Sequence, residues 1–158
     1  MTTQRVVDVR LATTVDEVAV AYEVRRHVFV TEQGVPEDLE LDDLDPGADH
    51  FVAYLDRHAV GAGRLVVEPA GFEGAPWSTE PVAHLGRLAV LETARGTGLG
   101  IALVHAIEAR AQQRGLELVA LSAQTQAVGF YERLGYAAHG EEFDDAGLPH
   151  VWMTRGLG

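Results

Sequence analysis

Arg95-Gly96-Thr97-Gly98-Leu99-Gly100 sets glycines at alternate positions between a strand-like segment, Leu85-Gly86-Arg87-Leu88-Ala89-Val90, and a helix-patterned stretch from Ile101 to Arg114. Glycine lets the backbone turn and present its N–H groups, and the start of a helix aims further unpaired N–H groups at the same point. Arg95 adds a positive charge. The natural guest of such a turn is a pyrophosphate. A dinucleotide-binding turn would place its third glycine one residue later than Gly100, and a nucleotide-hydrolysing P-loop needs a lysine, which this chain lacks altogether.

The composition narrows the chemistry further. A length of 158 residues with a hydrophobic fraction of 47% suits a single well-buried domain. Without cysteine there is no disulfide, no thiolate zinc site and no Cys nucleophile, and without lysine no Schiff base. The net charge of −12 argues against a nucleic-acid partner, and it can either attract a cationic amine or simply keep the protein in solution. No apolar run approaches a membrane span and the start Met1-Thr2-Thr3-Gln4-Arg5 has no hydrophobic signal region, so a cytoplasmic protein is expected. The histidines show no metal-ligand spacing, and no metal is expected.

The flanking segments supply the frame. Val6 to Leu11 alternates as a strand, and Thr14-Val15-Asp16-Glu17 has the form of a capping box. The helix that follows carries Val18, Ala21, Tyr22, Val28 and Phe29 at helical spacing, with Arg25 interrupting the same stripe. That arginine needs a partner, in a structural ion pair or in holding a substrate-site carboxylate. The acidic, turn-rich segment from Val30 to Asp49, with six carboxylates between Glu37 and Asp45, reads as a solvated charge run or as one wall of a cleft for a cation.

His50 to Leu55 and Ala59 to Val67 predict a hairpin turning at Asp56-Arg57-His58, with Gly61 and Gly63 at close approaches. A Gly/Pro-rich loop around Trp77 leads to the strand His84 to Val90. Beyond the glycine turn come a strand from Leu116 to Ser122, a helix from Gln126 to Leu134 ended by Gly135, extended chain from Tyr136 to Phe143, a turn at Asp145-Ala146-Gly147, and a last strand from His150 to Thr154. So many consecutive strands exclude a doubly wound parallel sheet and predict a mixed α/β sheet.

Two motifs in this frame resemble those of the GNAT superfamily of N-acetyltransferases. Arg95, Gly98 and Gly100 fill the acetyl-CoA loop pattern Arg/Gln-x-x-Gly-x-Gly/Ala. Ala127, Phe130, Tyr131 and Gly135 fill Asn-x-x-Ala-x-x-Phe-Tyr-x-x-x-Gly-Phe, with Tyr136 for the final phenylalanine and Gln124 for the asparagine. Val28-Phe29-Val30-Thr31-Glu32-Gln33, the acidic Leu39 to Asp45, and Gly147-Leu148-Pro149-His150 extend the resemblance to the ElaA/YjcF-type branch over nearly the whole chain.

The resemblance implies one N-acetyltransferase domain spanning residues 1–158. Its fold is a mixed, mostly antiparallel twisted sheet of roughly six to seven strands flanked by about four helices. The sheet is splayed between its two central strands, here those carrying Val90 and Leu118, and the pantetheine of acetyl-CoA lies there like an added strand. Backbone N–H groups of Leu88, Ala89 and Val90 would bind the pantetheine amides and polarise the thioester carbonyl. Arg95, Gly96, Thr97, Gly98, Leu99, Gly100 and Ile101 would hold the pyrophosphate. Gln124 stands where the superfamily's asparagine contacts the pantetheine arm.

Acyl transfer to an amine makes two demands on protons. A primary amine of pKa about 10 must lose one before it can attack, and the leaving thiolate must gain one. Tyr131 occupies the superfamily's position for the second task, which suits a phenol that keeps its proton at neutral pH. For the first, Glu32 at the end of the first helix comes before His84 and His150, each of which also has an ordinary structural reading. Without a cysteine, direct attack in a ternary complex with acetyl-CoA as co-substrate is expected, the acceptor being a small-molecule amine, with a protein N-terminus or lysine as the other option. The rival is a non-catalytic acyl-CoA-binding module that regulates a protein partner. An apolar edge on the last strand is compatible with a homodimer.

Overall fold

The computed structural model describes residues 6–158. Seven strands form: β1 (Val7–Leu11), β2 (Asp49–Leu55), β3 (His58–Glu68), β4 (Val82–Val90), β5 (Leu118–Gln124), β6 (Ala137–Asp145) and β7 (Leu148–Gly156). Their order in the sheet is β1-β2-β3-β4-β5-β7-β6. β1 pairs antiparallel with β2, and β7 antiparallel with both β5 and β6, while β4 and β5 run parallel at Ala83↔Val119 and His84↔Ala120. The α-helices are α1 (Val15–Arg25), α2 (Glu37–Glu40), α3 (Leu99–Gln113) and α4 (Val128–Arg133). This is the mixed sheet expected from the order of elements, and mostly antiparallel as the resemblance implies.

Two compact units divide the chain, one comprising the residues up to Arg64 with Arg87–Ile107, the other Leu65–Gly86 with Glu108–Gly158. In the first, α1 begins where Thr14 Oγ1 accepts from the N–H of Glu17 at 3.1 Å. The helical spacing predicts an α-helix through Phe29, but α1 stops at Arg25 and the chain continues as a π-helical segment, Arg26–Glu32. The wider turn keeps Val28 buried and Phe29 packed on the cluster of Ala21, Val24, Val52, Ala62 and Ala89. The hairpin turns at Asp56 and Arg57, both with positive φ as a two-residue connection requires. Gly61 and Gly63 of β3 leave room for α3, since a Cβ on Gly63 would lie 2.9 Å from Ile107 Cδ1 and one on Gly61 3.1 Å from Leu103 Cδ1.

In the second unit Ala75, Val82 and Ala120 form a small core flanked by Phe72 and Leu118. The helix expected from Gln126 opens as a 3-10 turn, Thr125–Ala127, before α4, and Gly135 ends it with φ +96°. No helix among the described residues is long and apolar enough to cross a membrane.

Candidate active site

The glycine turn is built as a cradle of backbone. After β4 a 3-10 turn, Glu92–Ala94, leads into Arg95, and Gly96 and Gly98 then take φ of +80° and +85°. A Cβ at either glycine would meet nothing within 4 Å, so the left-handed backbone, not crowding, demands glycine there. Thr97 Oγ1 donates to Ala94 O and closes the loop. The first helical bond of α3 runs from Ala102 N–H to Gly98 O at 3.0 Å, which leaves the N–H groups of Leu99, Gly100 and Ile101 in the unpaired first turn. α3 is long enough to give that terminus a usable dipole.

Arg95 is tied to the turn and to an acid. Its Nε donates to Val90 O at 3.1 Å, and its Nη2 donates to Glu32 Oε2 at 2.5 Å. Glu32, the last residue of the π-helical segment, also lies 3.7 Å from His27 Nε2. The side chain of Arg95 is 47% exposed and that of Glu32 22%, so this pair is within reach of an incoming anion.

Glu40, Asp42 and Asp45 of the acidic segment are tied to arginines. Arg25, fully buried, donates from Nε to Glu40 Oε1 at 2.7 Å and from Nη1 to Asp45 Oδ1 at 2.7 Å. Arg64 donates from Nη1 to Asp42 Oδ1 at 2.7 Å and Asp45 Oδ1 at 2.8 Å. Burial would raise the Asp45 pKa, but hydrogen bonds from Arg25, the Asp42 N–H and Arg64, with the Arg25 charge, hold it well below the usual carboxylate range. Asp42 is lowered too, the Arg64 hydrogen bond and the charges of Arg64 and Arg87 outweighing burial. Arg25 therefore makes the structural ion pair that its place on the apolar stripe called for. Arg87 completes the network from β4, donating from Nε to Glu40 O and from Nη2 to Asp42 Oδ2, each at 3.1 Å. Leu88, Ala89 and Val90 follow it directly in the strand.

In the second unit, the two tyrosines of the second motif have different surroundings. Tyr136 donates to Glu108 Oε2 at 2.8 Å, and the same oxygen accepts from Arg155 Nη1 at 2.8 Å. Tyr131 is buried, stacked on Phe130 and edge-on to Tyr136, yet its hydroxyl has no hydrogen-bond partner among the described residues and is not sealed from solvent. Burial pushes the Tyr131 pKa up to about 12. Gln124, at the end of β5, accepts at Oε1 from Gln126 Nε2 at 2.5 Å.

The histidines separate in the same way. His150 is buried, its Nδ1 2.8 Å from Leu148 O and its ring stacked on Phe143. His84 lies with Nδ1 3.0 Å from Glu68 Oε2, its ring between Phe72 and Trp152 at centroid distances of 5.0 and 5.6 Å. A carboxylate only accepts, so Nδ1 carries the proton, and Nε2, without a protein partner among the described residues, keeps its lone pair in the neutral ring. Glu68 escapes a reading of motifs because it belongs to none; only the approach of β3 and β4 gives it a partner. The conformation of Arg87, not its charge, escapes the sequence, because arginine carries no signal for a left-handed backbone. Among the described residues no three His, Asp or Glu side chains converge as a metal site.

Comparison with known proteins places this geometry. The model of the acetyltransferase (GNAT) domain family matches residues 11–157. The uncharacterized N-acetyltransferase YjcF of Bacillus subtilis is 38% identical over 136 residues, covering 85% of this chain and 89% of its own. ElaA of Escherichia coli is 29% identical over 135 residues, covering 84% of this chain and 83% of its own. The crystal structure of an acyl-CoA N-acyltransferase from Pseudomonas aeruginosa superposes with a TM-score of 0.77 at 29% identity, covering 96% of this chain and 99% of that one.

Proposed function

Because the chain belongs to the GNAT acetyltransferase family, in its ElaA/YjcF branch, and is thereby an acyltransferase, we propose that it moves an acetyl group from acetyl-CoA to a small primary amine by direct attack in a ternary complex. Enzymes of this family use acetyl-CoA or another acyl-CoA; acetyl is the donor proposed for this chain. The N–H groups at the start of α3, the turn from Arg95 to Gly100 and the Arg95 guanidinium hold the diphosphate. Backbone N–H groups of Leu88, Ala89 and Val90 read the pantetheine and draw charge onto the thioester oxygen.

The observation that carries the chemistry is the unpartnered hydroxyl of Tyr131. The ammonium gives up a proton to a base and the freed lone pair adds to the thioester carbonyl; the adduct nitrogen then sheds a second proton to water, and as the C–S bond breaks the sulfur takes the phenolic proton, which water restores. With a pKa near 12 the phenol stays protonated across the whole physiological range. No cysteine exists to carry the acyl group, so the amine attacks the thioester itself.

The candidates for taking the ammonium proton are Glu32 and His84. Glu32 is held by Arg95 at 2.5 Å and becomes a free base as that arginine turns to the diphosphate. His84 presents Nε2 while Glu68 holds Nδ1. Release of free thiol from acetyl-CoA, measured against a broad panel of small amines, tests the proposal. Turnover with at least one amine is expected. Tight acetyl-CoA binding with no thiol released across the panel would favour the regulatory module.

A further inference from the structure

Arg87 has φ +50° in the interior of β4, the left-handed region that a strand reserves for glycine. One left-handed residue in an extended strand breaks the alternation of the pleat and redirects the peptides that follow, as at a bulge. Gly86, its neighbour, would meet the same need without strain. An arginine persists in such a conformation only where its surroundings over-determine it. Here they do so through one segment of the same unit: Glu40 at the end of α2 supplies its carbonyl and Asp42, just beyond it, its carboxylate. Asp42 is itself pinned, its N–H donating to Asp45 Oδ2 at 2.9 Å and its carboxylate held by Arg64.

We propose that Arg87 is a positioning residue, whose grip on Glu40 and Asp42 fixes the direction of the Leu88, Ala89 and Val90 N–H groups that read the pantetheine and the thioester. The inference rests on the proposed acyl transfer. It gives the acidic segment a task that neither a solvated charge run nor a cation cleft describes: the Glu40 carbonyl and the half-buried Asp42 carboxylate are the anchor of the acyl-binding strand. Arg87 is also the member that can be removed with least harm. Glu40 keeps Arg25 and Asp42 keeps Arg64, so no buried charge is left alone, and the Arg87 side chain is 26% exposed where Arg25 is fully buried.

The experiment compares two ligands in the full chain: CoA, which uses both the glycine turn and the strand, and 3′-phospho-ADP, which lacks pantetheine and uses the turn alone. Arg87→Gly, which accepts the left-handed backbone but loses the grip, is expected to weaken CoA by about tenfold or more and to leave 3′-phospho-ADP within about twofold of wild type, with kcat reduced. If Arg87→Gly fails to fold, Arg87→Lys carries the test; it keeps the charge but not the two-pronged contact, and a loss of about threefold or more confined to CoA is expected. CoA affinity unchanged in the folded variant, or an equal loss for both ligands, would overturn the positioning role and leave the acyl transfer standing. A wild-type protein that binds neither ligand would instead sink the acyl transfer, and the inference with it.

Discussion

Arg95 of the glycine turn and Glu32 of the π-helical segment form a 2.5 Å ion pair, so the guanidinium proposed to hold a diphosphate is already engaged by a carboxylate of the same unit. The pair is exposed enough to be weak by itself, and a diphosphate in the proposed site would carry more charge and be flanked by the N–H groups of the α3 terminus. Glu32→Gln removes the competitor. CoA is expected to bind about two- to fivefold more tightly to that variant, as measured by calorimetry. Weaker binding would show that Glu32 orients Arg95 and does not compete for it. The kcat of the same variant reports separately on Glu32 as a base.

Tyr131→Phe is expected to lower kcat by at least about tenfold with the affinity for acetyl-CoA unchanged. Tyr136→Phe is the contrast. It takes a donor from Glu108, which keeps Arg155, and should cost about 1–3 kcal/mol of stability without a comparable loss in kcat. Equal kcat in Tyr131→Phe and wild type would remove the phenol from the mechanism.

The pH profile follows from the same burial. With the Tyr131 pKa raised to about 12, loss of its proton makes no alkaline limb below about pH 11, so any fall in rate between neutrality and pH 10 has another origin. An alkaline limb that vanishes in Tyr131→Phe would contradict this.

His84→Gln and Glu68→Gln test the second base as a pair. If His84 accepts the ammonium proton, His84→Gln lowers kcat by about 10²-fold, while Glu68→Gln, which disturbs only the ring's orientation, costs less. An unchanged kcat in His84→Gln removes His84 as the base and leaves Glu32 as the candidate.

Acid stability should be set by the arginine network. The folded-state pKa values of Asp45 and Asp42 lie below their unfolded values, so at acidic pH the unfolded chain binds the more protons. Their contribution is complete above the unfolded carboxylate range, near pH 4, and drains away as the pH falls below it. Asp45→Asn leaves Arg25 and Arg64 short of a buried partner and should cost about 3–5 kcal/mol in denaturant unfolding at pH 7, with a shallower loss in acid. A cost below about 1 kcal/mol would mean that the network is not buried in solution.

The sequence by itself determined the order of the strands and helices, the glycine turn, the second motif and the family they mark, because each rests on local physics. Alternation, helical spacing, the positive φ of Gly96 and Gly98, and the cap at Gly135 are properties of a few consecutive residues. Gly61 and Gly63 were legible as close approaches because glycine inside a strand pattern marks one, but what approaches them, Leu103 and Ile107 of α3, lies far along the chain. What only the tertiary structure decided are the partnerships of charge. Glu32 meets Arg95 across 63 positions, Arg87 meets Asp42 across 45, and Glu68 meets His84 across 16. Electrostatic pairing depends on distance in space and leaves no period in the sequence. The chain's acidity alone could not tell carboxylates free to attract a substrate from Glu40, Asp42 and Asp45, which are bound to arginines inside the protein.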